Sequence, residues 1–241
     1  MTKKIQAVEN KGFSIWLQHT DLGQYLFAQE QNFFQAVLAG RQPESILLLG
    51  YPTVLFKFKQ TKAATIRQAP YGKANADVLA QNTHPPWPDG SFDCIAAAHW
   101  CEEDGQEFAT IPHRLLKPNG CLIITGFNPY SLWRFRSHGM PPQIRRGLSL
   151  AKLKKQLADE NCWRIEEGRF INYLPPVQSV ESIRFWHFME QAGNRWWPHR
   201  AAVYGLVLTK QVLPLDPVRN SQTAPDFGRE PALGLARQKT D

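Results

Sequence analysis

The stretch Glu44-Ser45-Ile46-Leu47-Leu48-Leu49-Gly50 confines the fold more than any other in this chain. Four consecutive aliphatic residues leave no polar side for solvent, so they suit a strand covered on both faces, as in a parallel sheet between helix layers. The run stops at Gly50, and a glycine directly after such a strand lets the backbone turn tightly toward a ligand crevice. No second or third glycine follows. Tyr51-Pro52 stands there instead, and Pro52 has no amide hydrogen to offer.

The flanking sequence supplies the rest of an alternating pattern. Residues 20–39 place Leu22, Tyr25, Leu26, Phe33, Val37 and Leu38 near one helical stripe, with Thr20 or Asp21 as the cap, Gly40 as the stop and Pro43 barring continuation. Strands are expected at 45–49, 63–67, 75–80, 92–98 and 121–125, with an irregular crossover after the first and a turn-rich run over 83–91 that carries Pro85, Pro86 and Pro88. A helix over 104–117 should kink at Pro112 and stop at Pro118-Asn119-Gly120. Beyond it, Ser149 caps a helix that turns Leu150, Leu153 and Leu157 inward and Lys152, Lys154 and Lys155 outward. A strand over 163–173, a Ser179-capped helix with Val180, Ile183, Trp186 and Met189, and a strand over 201–209 follow. The alternation argues for a parallel sheet with helices on both faces, whose crevice lies past the carboxyl ends of strands one and four. Gly50, Tyr51, Gln81, Asn82, His99 and Trp100 should gather there, with His99 placed to serve as a general base or to orient a substrate.

At 241 residues and 43% hydrophobic content the chain can bury one full core. Lys3 and Lys4 precede no apolar leader and no run reaches the length of a membrane span, so a soluble, cytoplasmic protein with no membrane partner is expected. Cys94, Cys101, Cys121 and Cys162 form no CxxC pair and sit mostly in apolar runs, so neither disulfides nor a metal site are expected; His99 and Cys101 lack companion ligands. The net charge of +7 is uneven: residues 134–200 hold twelve Lys or Arg against six Asp or Glu. Trp163, Trp186, Trp196 and Trp197 lie in the same segment. That mixture reads either as a solvated basic face over a Trp-rich core or as a surface for nucleic acid or another acidic partner. From Leu213 the sequence is rich in Pro, Gln, Arg and Asp with little apolar periodicity, as in a disordered tail.

Residues 86–129 carry a resemblance. Pro86-Trp87-Pro88-Asp89-Gly90-Ser91-Phe92-Asp93 and then Arg114-Leu115-Leu116-Lys117-Pro118-Asn119-Gly120 resemble the proline-aromatic turn, the "D-x-S-F-D" strand start and the "R-x-L-K-P-G-G" helix end of class I S-adenosylmethionine-dependent methyltransferases, in the type 11 methyltransferase-domain branch. With the helix before strand one and Gly126-Phe127-Asn128-Pro129 after strand five, the chain resembles a small bacterial methyltransferase-like group with a degenerate cofactor loop, over most of residues 14–210. The resemblance implies a Rossmann-like, mostly parallel seven-stranded sheet. It also implies one domain over 1–212, made of a flexible 1–12, a helical lead-in over 13–40 and the sheet domain, before the tail at 213–241.

Such families hold S-adenosylmethionine at three strand ends. A glycine-rich turn follows strand one, and here only Gly50 remains, beside Tyr51. A carboxylate at the end of strand two accepts from the ribose, and Thr65-Ile66-Arg67-Gln68 supplies none. An acid at the end of strand three reads the adenine amino group, and Gln81 takes that place, with Asn82 next to it and Trp87 or Trp100 near enough to cover the base. Missing contacts at about 1 to 3 kcal/mol each would weaken the cofactor by orders of magnitude. Two functions follow: methyl transfer to an unknown acceptor with weak or lost cofactor binding, or a catalytically inactive platform that binds protein or nucleic acid. Asn128-Pro129-Tyr130 follows strand five and lacks the second proline of the adenine-methylating motif, so it reads as a turn.

Overall fold

The aliphatic run forms β1 (Ser45–Leu49) inside a seven-stranded sheet. Because side chains alternate across a strand, Ile46 and Leu48 enter one core layer and Leu47 and Leu49 the other, and all four are fully buried. The chain is described by a computed structural model over residues 12–50, 52–58, 62–69, 76–82, 84–99, 109–136, 139–159 and 162–211. The expected tail and most of the expected flexible N-terminus lie outside these residues.

Ahead of β1 come a helix over 12–19 (α1) and α2 (Asp21–Arg41). The strands after it are β2 (Ala64–Ala69), β3 (Val78–Leu79), β4 (Phe92–Ala98), β5 (Leu116–Phe127), β6 (Trp163–Ile171) and β7 (Val203–Lys210). The helices are α3 (Thr110–Leu115), α4 (Gln143–Arg146), α5 (Leu150–Asp159), α6 (Val180–Trp186) and α7 (Phe188–Trp196). The sheet order is β3-β2-β1-β4-β5-β7-β6. The first five strands run parallel, whereas β7 is antiparallel to both β5 and β6. Helices α1 and α2 cover one face through Phe13, Trp16, Leu26 and Phe34, while α3 and α5 cover the other through Leu115, Leu153 and Leu157.

Several boundaries differ from the sequence reading, each for a local reason. Helix α2 passes Gly40 and ends when Gln42 adopts φ 46 and returns its N–H to Leu38, so the left-handed cap is Gln42. Strand β2 runs on to Ala69, its last two residues buried. Strand β3 is short, and Asn75, where it was expected to start, lies outside the described residues. Of the helix expected over 104–117, residues 104–108 also lie outside, and Leu116 already belongs to β5. Pro112 falls in the first described turn of α3, where a missing N–H leaves no broken bond, so no kink is needed. The helix expected after Ser179 divides at His187, whose N–H reaches back three residues to Arg184 before α7 resumes.

The resembled "D-x-S-F-D" turn has a structural use. Asp93 Oδ2 accepts from the backbone N–H and the hydroxyl of Ser45, at 3.0 and 2.8 Å, and Oδ1 lies 2.8 Å from Lys117 Nζ, so one carboxylate ties the starts of β1, β4 and β5 together. Partial burial pushes its pKa up, but Lys117 and the Ser45 donors outweigh this and hold it below the usual aspartate value. A lowered folded pKa stabilises above the unfolded value and is lost as pH falls through the folded one. Asp93→Asn should therefore remove part of the acid sensitivity below about pH 4, checked by urea melts at stepped pH. On β7, a Cβ at Gly205 would stand 2.6 Å from Phe33 Cε1 of α2. Gly205→Val should cost about 1–3 kcal/mol in urea unfolding by forcing α2 off the sheet.

Candidate cofactor cleft

The order of strands reverses between β1 and β4, and there the carboxyl ends of the two strands diverge. Gly50 turns the chain at that point with φ 73; its N–H donates to Gln68 at 2.9 Å and its carbonyl accepts from Val54 at 3.2 Å. A 3-10 turn over Thr53–Leu55 follows, and Thr53 is buried with its hydroxyl accepting the Ala98 N–H at 2.5 Å. The loop is thus stitched back onto the end of β4.

At the exit of β3, the sequence places two amides and the fold sends them opposite ways. Gln81 is exposed, and its carbonyl accepts from Gln68 Nε2 at 3.4 Å. Asn82 is only 5% exposed, and a Cβ on Gly50 would come within 3.1 Å of Asn82 Nδ2. Among the described residues Asn82 Oδ1 has no hydrogen-bond partner. A buried amide oxygen in that condition costs about 1–3 kcal/mol unless something donates to it.

At the exit of β2 the polar groups are already committed. Buried Gln68 accepts from Trp87 Nε1 at 2.5 Å, and the Trp87 ring stands edge-on to Phe92 with centroids 5.6 Å apart. A carboxylate from just before β3 reaches this end of β2: Asp77 accepts the Arg67 N–H at 2.9 Å and lies 3.6 Å from its guanidinium. A cavity of about 370 Å³ opens beside them, lined in part by Val54, Phe56, Lys57, Arg67 and Asp77. Among the described residues its lining includes none of the site residues expected from the sequence.

His99 follows β4 with φ 57 and its N–H bound to Thr125 O at 2.8 Å. Its side chain is 1% exposed and turns under α1 and α2. Phe13 meets the ring edge-on at 5.1 Å, and Phe127 lies against it at 4.2 Å and 31°. Nε2 is 2.9 Å from Oε1 of Glu30, which is fully buried on α2. The imidazole expected to face a substrate is therefore enclosed by aromatic rings and a carboxylate. Tyr51 and Trp100 lie outside the described residues. Gly50 and Asn82 are brought together, and the Thr53–Ala98 bond holds the Gly50 turn at the end of β4, next to His99 in the chain.

Glu30 went unnoticed in the sequence, although a signal was there. It stands in register with Leu22, Leu26 and Phe33 on the apolar stripe of α2, where a charge needs a partner. Thr53 had no such signal, because its partner is a backbone amide forty-five residues away. Asn128 donates to the His199 and Ala201 carbonyls at 2.8 and 2.9 Å and accepts from Tyr130 N–H at 3.0 Å, so its amide holds a turn.

With the sheet order and this edge in view, comparison with solved structures is informative about architecture. The [4+2]-cyclase SpnF aligns at a TM-score of 0.51 and 14% identity, over 75% of this chain and 80% of that one. The fold is the class I methyltransferase fold. A SAM-dependent methyltransferase from Archaeoglobus fulgidus aligns at 0.48 with 17% identity, over 78% of this chain and 99% of that one. Another, from Aquifex aeolicus, aligns at 0.46 with 13% identity, over 74% and 89%. No protein-family model matches the chain, and no curated protein matches it. The sheet is mixed because β7 is reversed, which refines the mostly parallel expectation. One relative by architecture is named for a cyclisation, so the fold by itself does not fix the reaction.

Removing one partner of a buried acid–imidazole pair strands the other. Glu30→Ala should destabilise the protein by about 3 kcal/mol, and Glu30→Ala with His99→Ala should fall well short of the sum of the single losses. Chemical denaturation of the four proteins measures this coupling, and strict additivity would mean the pair does not act as one.

Proposed function

We propose that this chain is a methyltransferase-like protein that binds S-adenosylmethionine at the Gly50–Asn82 corner and serves methyl transfer to an acceptor still to be identified. The observation that carries the reading is the buried Asn82 oxygen beside a left-handed glycine. An adenosyl amino group is a donor of the kind that oxygen lacks, and Gly50 leaves the backbone open to close approach. Bound there, the cofactor supplies an electrophilic methyl group. Asn82 would orient its base, the turn at Gly50 would sit against its chain, and Phe13 and Phe127 would keep water from the end of β4. His99 acts here through position: with Glu30 it fastens α2 over the strand ends, rather than taking a proton from an acceptor.

The fit is incomplete, and this favours weak binding. Among the described residues the exit of β2 offers no free carboxylate for a ribose, since Gln68 is engaged by Trp87 and Asp77 by Arg67. Thr53, pinned to Ala98, takes up room in the turn that a glycine would leave empty. These same two observations favour the second reading, in which the sheet persists as a binding platform without catalysis.

Thermal shift and calorimetry with S-adenosylmethionine and its demethylated product separate the two. At about 100 times its dissociation constant the ligand should add about 2.7 kcal/mol to stability. Asn82→Leu should weaken binding by about tenfold or more while leaving the melting temperature of the free protein unchanged or raised, because it deletes an unsatisfied buried amide. No shift in the wild type at millimolar ligand would leave the platform reading.

A further inference from the structure

Helices α6 and α7 are poorly covered by the rest of the domain. Ile183 and Gly193 are their only buried residues, and Gly193 packs so tightly on Tyr173 that a Cβ would stand 2.3 Å from the ring. Facing outward are Phe185 at 71% exposure, Phe188 at 56% and Trp196 at 70%, with Trp197 beside them. Across the segment that leaves β6, the turn over Leu132–Phe135 presents Phe135 at 75% exposure and also Leu132. The two groups share one support. Trp133 Nε1 donates to Leu174 O at 2.8 Å and Arg136 to Pro176 O at 2.8 Å, while Tyr173 holds α7. Scattered apolar residues on a surface need no explanation, but several large aromatics brought to one support do.

The charges around these rings are mostly positive. Arg134, Arg136, Arg184, Arg195 and Arg200 are all exposed. Of the two acids on α6 and α7, Glu190 accepts from Tyr25 OH and the Tyr173 N–H, each at 3.2 Å, which leaves Glu181 facing solvent. The patch also has a definite place. Ile171 at the end of β6 and Phe127 at the end of β5 both register with Val203, so α6, α7 and the turn over Pro198–Arg200 sit at the same edge of the sheet as Gly50 and Asn82.

We infer that this surface docks on an anionic lipid bilayer, the aromatics entering the headgroup region while the arginines face lipid phosphates. The chemistry of the rings favours lipid over nucleic acid. Trp186 and Phe188 stack on each other at 5.9 Å and 30°, Phe185 stands edge-on to Trp186 at 5.2 Å, and guanidiniums lie over Phe135 and Trp196 at 5.5 and 5.8 Å. A stacking platform for bases needs open ring faces, whereas burial at a lipid interface needs only apolar mass flanked by cations. Among the described residues no helix is long and apolar enough to cross a membrane, and a surface-docked helix pair requires none. The expectation of no membrane partner rested on the lack of an apolar leader and of a spanning run, and neither bears on surface docking. The inference stands apart from cofactor binding, because none of these residues belongs to the Gly50–Asn82 corner.

Co-sedimentation of the full chain with vesicles of phosphatidylcholine, and of phosphatidylcholine with about one-third phosphatidylglycerol, tests it. The mixed vesicles should bind the protein about tenfold more strongly than phosphatidylcholine alone, and added salt should weaken that binding. Phe185→Ser with Phe188→Ser, and separately Trp196→Ser, should lose most of it with circular dichroism and melting temperature unchanged, since these side chains are exposed. No uptake by mixed vesicles, equal uptake by both kinds, or wild-type binding by both variants would overturn the inference. So would Phe185-dependent binding of a single-stranded oligonucleotide in preference to vesicles, or a dimer in light scattering that the Phe185 variant dissolves.

Discussion

Central strands buried on both faces leave polar chemistry only their ends, and this chain depends on that constraint. With Ile46, Leu47, Leu48 and Leu49 all sealed between helix layers, a ligand can approach β1 only at its ends, and Gly50 stands at the carboxyl one. The reversal of strand order between β1 and β4 opens the carboxyl edge there, and several of the buried polar groups lie near it, among them Thr53, Gln68, Asn82 and His99. Most are satisfied by neighbours in the chain itself. Thr53 takes the Ala98 amide and Gln68 takes Trp87. Asn82 Oδ1 differs in lacking a partner among the described residues, which is why the functional reading rests on it.

The Glu30–His99 pair belongs to the same economy of edges. Two ionisable side chains nearly without solvent access are tolerable only because each answers the other, and the aromatic rings of Phe13 and Phe127 exclude competing water. The pair joins α2 to the end of β4, so the N-terminal helices become part of the site's wall. At the opposite, amino edge, Asp93 does comparable work in a wetter setting, joining three strand starts through Ser45 and Lys117. The helical pair α6–α7 stands outside both arrangements, attached through Ile183, Gly193 and the bonds of Glu190 to Tyr25 and Tyr173, with its outward aromatics left exposed.

Much of the architecture was legible because burial writes itself into local pattern. Strands 45–49 and 92–98 match the observed β1 and β4 residue for residue, since runs such as Ile46–Leu49 and the alanines of β4 can serve only as doubly covered strands. The Ser179 cap was equally plain, and of Thr20 and Asp21 it is Thr20 that caps α2, because a hydroxyl ahead of an apolar stripe meets the free N–H groups of a helix start. What failed were helix ends set by the backbone's own conformation. Gln42 rather than Gly40 closes α2, and the Ser179 helix splits at His187, though no residue there demands it.

The sequence alone determined the alternation of strands and helices, the lone glycine after β1, and the absence of a carboxylate within β2, because these depend on residue type and spacing. Only the tertiary structure decided which polar groups are spent and which are left over. It turned Gln81 outward and Asn82 inward, set Glu30 against His99, and engaged Asp77 with Arg67. Hydrogen bonding and desolvation are settled between side chains far apart in the chain, and one-dimensional periodicity carries no record of them.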